Sequence, residues 1–378
     1  MPGTQGLRRL ALVGGCLALL AVPASAGAQP LDGDGMWIWQ IRRSSGGDIN
    51  RIATRAARYG IDFVVIKGGD GRRRWRQLSP FLVSQLHARG LRVCGYQFVY
   101  GRRPRTEARV GAKIVQTGVD CLMIDAEGAY EGRYRQARIY IRALRRRIGP
   151  YYPLGLAGFP YVHYHPAFPY SVFLGPGGAQ FNVPQIYWKA IGTTVDRAWS
   201  TTFRFNRVYQ RPIYPLGQVY NHPPKRQIYR FRQLVAANTL GGVSWWSWQS
   251  AGRLQWHAVA VPFPPSLAPL PTYGWPTLRS HARGYHSRGD LVYWAQLHLR
   301  AAGELLRPTG LFRAGTRAAV ADFQLRHGLP SIGAIGPRTW QALLAYPLPP
   351  FASATGGPVP RSARLPAVRN ELRSRHGR

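Results

Sequence analysis

Between residues 35 and 260, short apolar runs alternate with longer stretches whose apolar positions recur every three or four residues. The runs are Met36–Gln40, Asp62–Lys67, Leu91–Val99, Cys121–Ala126, Leu154–Phe159, Phe181–Tyr187, Ile213–Val219 and Val243–Trp248. Their length and their β-branched and aromatic content predict strands. Helical spacing marks Asp48–Tyr59, Leu78–Arg89, Thr106–Thr117, Gly132–Ile148 and Lys225–Thr239. In the last of these, Ile228, Phe231, Leu234 and Val235 share one face. Regular strand–helix alternation calls for a parallel sheet, and eight strands suit a closed barrel better than an open sheet. The stretches 161–178 and 193–212, rich in proline or aromatic residues, predict irregular connections with short or missing helices.

After the last strand, Val261–Pro276 is rich in proline and predicts a semi-rigid extended linker. A second compact unit follows. Leu291, Trp294, Leu297 and Leu299 form one apolar stripe, Val320 and Phe323 belong to another, and Trp340 and Leu343 to a third. Gly310 and Gly328 stand where helices stop or turn, and Pro337 suits a first helical turn. The fold class is therefore α/β: a (β/α)8 TIM-type barrel over 29–260, a linker over 261–283 and a small all-α three-helix domain over 284–346. A basic tail with little apolar content occupies 347–378.

The N-terminal segment changes the compartment. Arg8 and Arg9 precede the apolar run Leu10–Val22, and Ala24-Ser25-Ala26 offers a small-residue cleavage site. Residues 1–28 read as a signal peptide, which implies a secreted, extracytoplasmic protein at the cell wall. Cys16 lies inside the apolar run rather than at its end, which argues against a lipid anchor. No later run of about 20 apolar residues predicts a membrane span. Cys94 and Cys121 fall in two strands expected to be neighbours. Export permits a disulfide, but a domain this large needs no staple, and the two read as core thiols.

Charge narrows the partners. The 51 basic residues outnumber the 15 acidic ones, for a net charge of +36. Such a surface seeks polyanions. Outside the cytoplasm, anionic cell-wall polymers carrying carboxylates and phosphates are the expected partner, with nucleic acid the weaker alternative. The pattern implies no cofactor, and the chain reads as a monomer.

Against that basic background, Asp125 and Glu127 stand two residues apart at the end of the fourth strand. On a strand, residues i and i+2 share a face. Carboxylates held so close push their pKa values apart, so one can stay protonated and act as a general acid, as glycosidic hydrolysis requires. The structural alternative is that both pair with arginines. Around the same barrel mouth the strand ends gather Trp37, Trp39, Gln40, Lys67, Asp70, Tyr96, Gln97, Tyr187, Trp188, Trp246, Trp248 and Gln249. Flat aromatic faces and amides of this kind bind sugar rings and their hydroxyls. A metal site in which His163, His165 and His222 meet Asp125 is a further arrangement the spacing allows, but His-x-His is common by chance and no metal is expected. The Gly-x-Ser-x-Gly motif of serine hydrolases is missing.

Two resemblances follow from these residues. Pro308-Thr-Gly-Leu-Phe312, Thr316, Phe323-Gln324, His327-Gly-Leu-Pro330 and Gly333-Ala-Ile-Gly-Pro337-Arg-Thr-Trp340 resemble the peptidoglycan-binding-domain-like family. Thr309 and Arg313 replace the Asp and Gly usual there. The resemblance implies a three-helix module that docks on wall glycopeptide. The barrel resembles the family 25 glycoside hydrolases, the lysozyme-like muramidases. The matching residues are Phe63–Gly71, Gly90–Phe98, Ile124–Glu127, Tyr187–Ala190 and Trp248–Gly252. That likeness implies Glu127 as the acid and Asp125 as its partner in stabilising positive charge or steering an acetamido group or water. Trp37 stands where the family carries a first-strand Asp, and no acid follows the sixth strand. Asp70 and Glu131 are the nearest substitutes in sequence. The expected function is a glycosidase acting on peptidoglycan or a related wall glycan. The alternative is a non-catalytic wall-binding protein with a degenerate barrel.

Overall fold

A computed structural model describes residues 29–238, 240–262, 269–280 and 288–349. The signal segment, most of the basic tail and parts of the linker lie outside the described residues. Eight strands form the barrel: β1 Gly33–Ile38, β2 Phe63–Asp70, β3 Arg92–Val99, β4 Cys121–Ala126, β5 Leu154–Gly158, β6 Phe181–Ile186, β7 Leu216–Gln218 and β8 Gly242–Trp246. Each pairs in parallel with the next, and β1 pairs with both β2 and β8, which closes the ring. A two-residue segment, Arg73–Arg74, folds back antiparallel on the end of β2. Ile213 makes only an isolated bridge to Asn182, so β7 is shorter than its apolar run.

Alternation sorts the strand residues onto two faces. Trp37, Phe63, Val65, Cys94, Tyr96, Cys121, Met123, Ala157, Val183 and Leu216 fill the barrel, while Met36, Ile38, Val64, Ile66, Leu122 and Ile124 face the helices. Gly155 makes room inside, because a Cβ there would stand 2.4 Å from the Met123 sulfur. The thiol expectation is corrected here. Cys94 and Cys121 sit in register on β3 and β4, with Cα atoms 4.6 Å apart, and form a disulfide. Parallel pairing brings the two inward-facing cysteines within bonding range, which strand content alone does not reveal.

The helices around the barrel are α1 Ile49–Arg58, α2 Pro80–His87, α3 Pro104–Val115, α4 Tyr134–Ile148, α5 Tyr170–Phe173, α6 Trp188–Ile191, α7 Val195–Asn206, α8 Lys225–Ala237 and α9 Arg253–Ala260. Side chains of Asp48, Ser79 and Thr194 cap α1, α2 and α7 by accepting first-turn N–H groups. The irregular reading holds for 161–178, where α5 is a single turn. It fails for 193–212, where α7 spans twelve residues. Two positions on its buried face are polar, which hides the period. Thr202 bonds back to the Ala198 carbonyl, and Asn206 bonds Asn182 and the Pro160 carbonyl. Glu107, buried in the first turn of α3, accepts from the backbone N–H groups of Tyr100, Gly101, Arg102 and Arg103 at 2.9–3.2 Å. That carboxylate fixes the loop that presents Tyr100 at the mouth.

The C-terminal module holds α10 Asp290–Ala301, α11 Ala314–Arg326 and α12 Pro337–Leu344. Its two half-repeats share one device. Gln296 accepts from the Thr309 and Gly310 N–H groups and donates to Thr316, and Gln324 accepts from Gly333 N–H and donates to Thr339. The module is docked on the barrel. Asp290, buried at the start of α10, accepts from Tyr134, Tyr209 and both the hydroxyl and N–H of Ser171. The described part of the linker lies along α7. Arg204 and Arg207 hold the carbonyls of Tyr273 and Gly274, and Trp340 donates to the Pro276 carbonyl.

Candidate active site

Because β4 ends at Ala126 with Glu127 still extended (φ −132°, ψ −151°), Asp125 and Glu127 project on the same side of the strand. Both line a narrow pocket with Trp37, Gln185, Tyr187, Leu216 and Trp246. This is the C-terminal end of the parallel strands, where barrel strand ends converge. Gln185 on β6 reaches across and donates to both acids, at 3.3 Å to Asp125 Oδ1 and 3.1 Å to Glu127 Oε1. Among the described residues that line this pocket there is no arginine.

Burial raises the Asp125 carboxyl well above the ordinary carboxylate range, and the adjacent Glu127 charge reinforces it. Lys67 and the Gln185 hydrogen bond pull the other way. Lys67, itself buried, pairs with Asp70 at 2.7 Å and stands 4.5 Å from the centre of the Trp75 ring. Tyr100 donates to the other Asp70 oxygen at 2.9 Å. Tyr96 lies in contact with Trp37, their rings 4.9 Å apart, and its buried hydroxyl has no hydrogen-bond partner among the described residues. Burial pushes that phenol far up, with the Asp125 charge adding to it, so it remains a neutral hydroxyl able to donate. Trp246 approaches both Trp37 and Tyr96 edge-on, and Tyr187 packs edge-on against Tyr220.

Of the residues expected at the mouth, the structure brings together Asp125, Glu127, Trp37, Tyr96, Tyr187 and Trp246, with Lys67 and Asp70 alongside. Trp39 and Gln40 stand just past β1, where the Gln249 carboxamide oxygen accepts from both backbone N–H groups at 3.2 Å, tying the ends of β1 and β8. Three others do not reach the pocket. Gln97 faces the helices, donating to the Gly71 and Glu107 carbonyls. Trp188 opens α6, stacks on Phe231 and donates to Gln227. Trp248 packs edge-on against Trp256 of α9. Gln97 has the wrong strand parity, and the other two lie past strand ends, where alternation no longer applies. Gln185 was missed, although it stands two residues before Tyr187 with the same parity as the acids. Tyr100 and Trp75 were missed too, since loops carry no such period.

The histidines considered for a metal scatter. His163 stacks on Phe205, His165 pairs with Glu131 at 2.7 Å, and the His222 carbonyl accepts from Lys189. Among the described residues no cluster of three histidine, cysteine or acidic side chains could hold a metal ion. In the same residues no helix is long and apolar enough to cross a membrane. Glu131, bonded to His165, is not part of the pocket wall.

Residues 288–343 match the family model described as "Putative peptidoglycan binding domain". No curated protein matches the chain. Among solved structures, a chitinase from Chromobacterium violaceum aligns at 14% identity over 60% of this chain and 98% of that one, with a TM-score of 0.47. The spore cortex-lytic enzyme of Bacillus cereus aligns at 12% over 63% and 76%, with a TM-score of 0.46. A protein described as an aldolase aligns at 12% over 60% and 94%, with a TM-score of 0.40. Likeness this distant, spanning unlike chemistries, concerns the barrel fold alone.

Proposed function

We propose that this protein is an exported glycoside hydrolase that cleaves peptidoglycan or a related wall glycan and is held on the wall by its C-terminal module. One observation carries the reading. Asp125 and Glu127 project together into an aromatic-walled pocket at the barrel mouth, bridged by Gln185. The peptidoglycan-binding match at 288–343 supports the choice of polymer, and holding the enzyme on its substrate raises local concentration without new catalytic contacts. The net charge of +36 suits an anionic wall.

In this mechanism Glu127 protonates the leaving glycosidic oxygen as the C1–O bond breaks. The two acids lie on one strand and one face, and among the described residues no third acid lines the pocket. The carbonyl oxygen of the sugar's own 2-acetamido group therefore attacks C1, as in substrate-assisted glycosidases. Burial and the Glu127 charge favour the proton on Asp125 in the empty site; as substrate enters, that proton passes to Glu127, and the ionised Asp125 accepts the acetamido N–H and balances the positive charge that develops. Glu127, now ionised, takes a proton from the water that opens the cyclic intermediate. Trp37, Tyr187 and Trp246 pack on the sugar ring. Trp37 stands where the family 25 enzymes carry a first-strand acid, so this mechanism differs from theirs.

Purified mature protein should release reducing sugar from isolated wall sacculi, and Glu127→Gln should abolish release while sedimenting with sacculi as before. Undiminished release by Glu127→Gln would end the proposal. Trp37 in place of an acid favours a second reading, a wall-binding protein without turnover. Sacculus binding with no sugar released by the unaltered protein would select it.

A further inference from the structure

One register row of the sheet runs outward from the carboxylate pair. Asp125 on β4 stands opposite Phe98 on β3, Phe98 opposite Asp70 on β2, and Asp70 opposite Arg73 of the short antiparallel segment. A bulge at Gly68 makes the row possible. The extra residue returns Asp70 to the inward face that Lys67 already occupies, and directly paired residues share a face. All four side chains therefore point to the mouth, with Arg73 three strand spacings, about 14 Å, from Asp125. Lys67 and Tyr100 hold the two oxygens of Asp70 at 2.7 and 2.9 Å, so that acid is already neutralised and does not cancel Arg73. Phe98 and Tyr100 pack edge-on with ring centres 4.9 Å apart, Trp75 lies beyond Lys67, and all three rings are half-buried. Arg102 stands 5.7 Å from the centre of the Tyr100 ring. Neither Arg73 nor Arg102 forms an ion pair with an acid among the described residues. The loops around them fix the sign of the charge: residues 71–79 hold four arginines, residues 100–106 hold three, and neither stretch has an acid.

We propose that this shelf is a second sugar subsite, next to the carboxylate pocket, and that it takes a ring carrying a free carboxylate. The ring lies on Phe98 and Tyr100, whose half-exposed faces suit the apolar side of a sugar, and its carboxylate meets Arg73 and Arg102. Guanidinium groups without an acid partner select a charged carboxylate over an amide. In peptidoglycan the fitting group is the lactyl carboxyl of muramic acid, which is blocked as an amide wherever a stem peptide is attached. The preferred substrate is therefore a strand already stripped of its peptides, and a reaction that hydrolyses that amide must supply it. Peptide-bearing strands are cleaved more slowly. The choice of substrate rests on the hydrolase reading of Asp125 and Glu127, while the subsite itself needs no turnover.

Two preparations test this: wall glycan treated with an amidase, which frees the lactyl carboxylates, and the same glycan with those carboxylates converted to methylamides. The full chain should release reducing sugar from the acid form with kcat/KM about tenfold or more above that for the methylamide. In calorimetric titration, Glu127→Gln should bind the acid form more tightly by a similar factor. Arg73→Gln combined with Arg102→Gln should lose the preference in rate, and in affinity when added to Glu127→Gln, and lysine at both positions should restore part of it. Both arginines are exposed, so the fold tolerates their replacement. The other basic residues stay in place, so a general attraction to anions would leave the preference intact in the double variant. That result, or equal rates and affinities for the two forms in the unaltered arginine background, would overturn the proposal. No release from either form, with tighter binding of the acid form that Arg73 and Arg102 account for, would end the hydrolase reading and uphold the subsite.

Discussion

Gln185 donates to Glu127 at 3.1 Å from the far side of the barrel mouth, and through the same nitrogen to Asp125 at 3.3 Å. A neutral donor shared by two acids stabilises their charged forms without neutralising either permanently. Replacing it with leucine removes a preorganised donor from the reacting centre, which costs on the order of a hundredfold in kcat. The Asp125 carboxyl, already raised by burial, should rise further, because this hydrogen bond lowers it. The acid limb of the pH–rate profile for Gln185→Leu should move to higher pH. An unmoved limb would mean that Gln185 only packs.

Asp125 opposes the stability of the fold that holds it. Its native pKa is raised by burial, so the native state takes up the proton before the unfolded chain does. Its favourable contribution is complete below the unfolded value near 4 and is lost as pH climbs through the raised native value. Asp125→Asn should therefore raise the melting temperature at pH 7 by about 2–4 °C for each kcal/mol relieved, with no gain near pH 3. Activity should fall sharply in the same variant, the usual exchange of stability for a strained site.

Docking of the module rests on Asp290. Alanine there strands the donors of Tyr134, Tyr209 and Ser171 in a buried junction, at a cost of about 2–4 kcal/mol. Limited proteolysis should then cut between barrel and module. Burial lifts the Asp290 carboxyl to about 6, so its contribution is fullest below about 4 and declines as pH rises through about 6. Urea midpoints measured between pH 4 and 7 should fall more steeply in the native sequence than in Asp290→Asn, which keeps only the Asp125 share of the decline.

Reduction of the Cys94–Cys121 bridge tests a third element. The cysteines are 27 residues apart, and on the chain-entropy model a loop of that length contributes about 3–4 kcal/mol. Denaturation with and without reductant should differ by that amount, as should Cys94→Ser under oxidising conditions. An unchanged midpoint would mean that the thiols are not joined in solution.

Local periodicity made the barrel and the module legible. Short apolar runs rich in β-branched and aromatic residues read as strands, three-to-four spacing marked most of the helices, and Asp125 and Glu127 shared a face as i and i+2 must. The half-repeats of the module, with Gln324, Thr316 and Thr339 in place, were also readable because each packs mainly on its neighbour. What required the tertiary structure was everything set by residues distant in sequence. The bridging amide of Gln185 lies 58 positions from Glu127, the Cys94–Cys121 bond depends on the β3–β4 register, and Asp290 finds its donors 81 to 156 positions away. The placement of Trp188 and Trp248, past their strand ends, belongs with them, whereas Gln97 faces the helices by the same alternation that turns Tyr96 inward. A chain pattern specifies which face a residue occupies; closing the barrel specifies what that face meets.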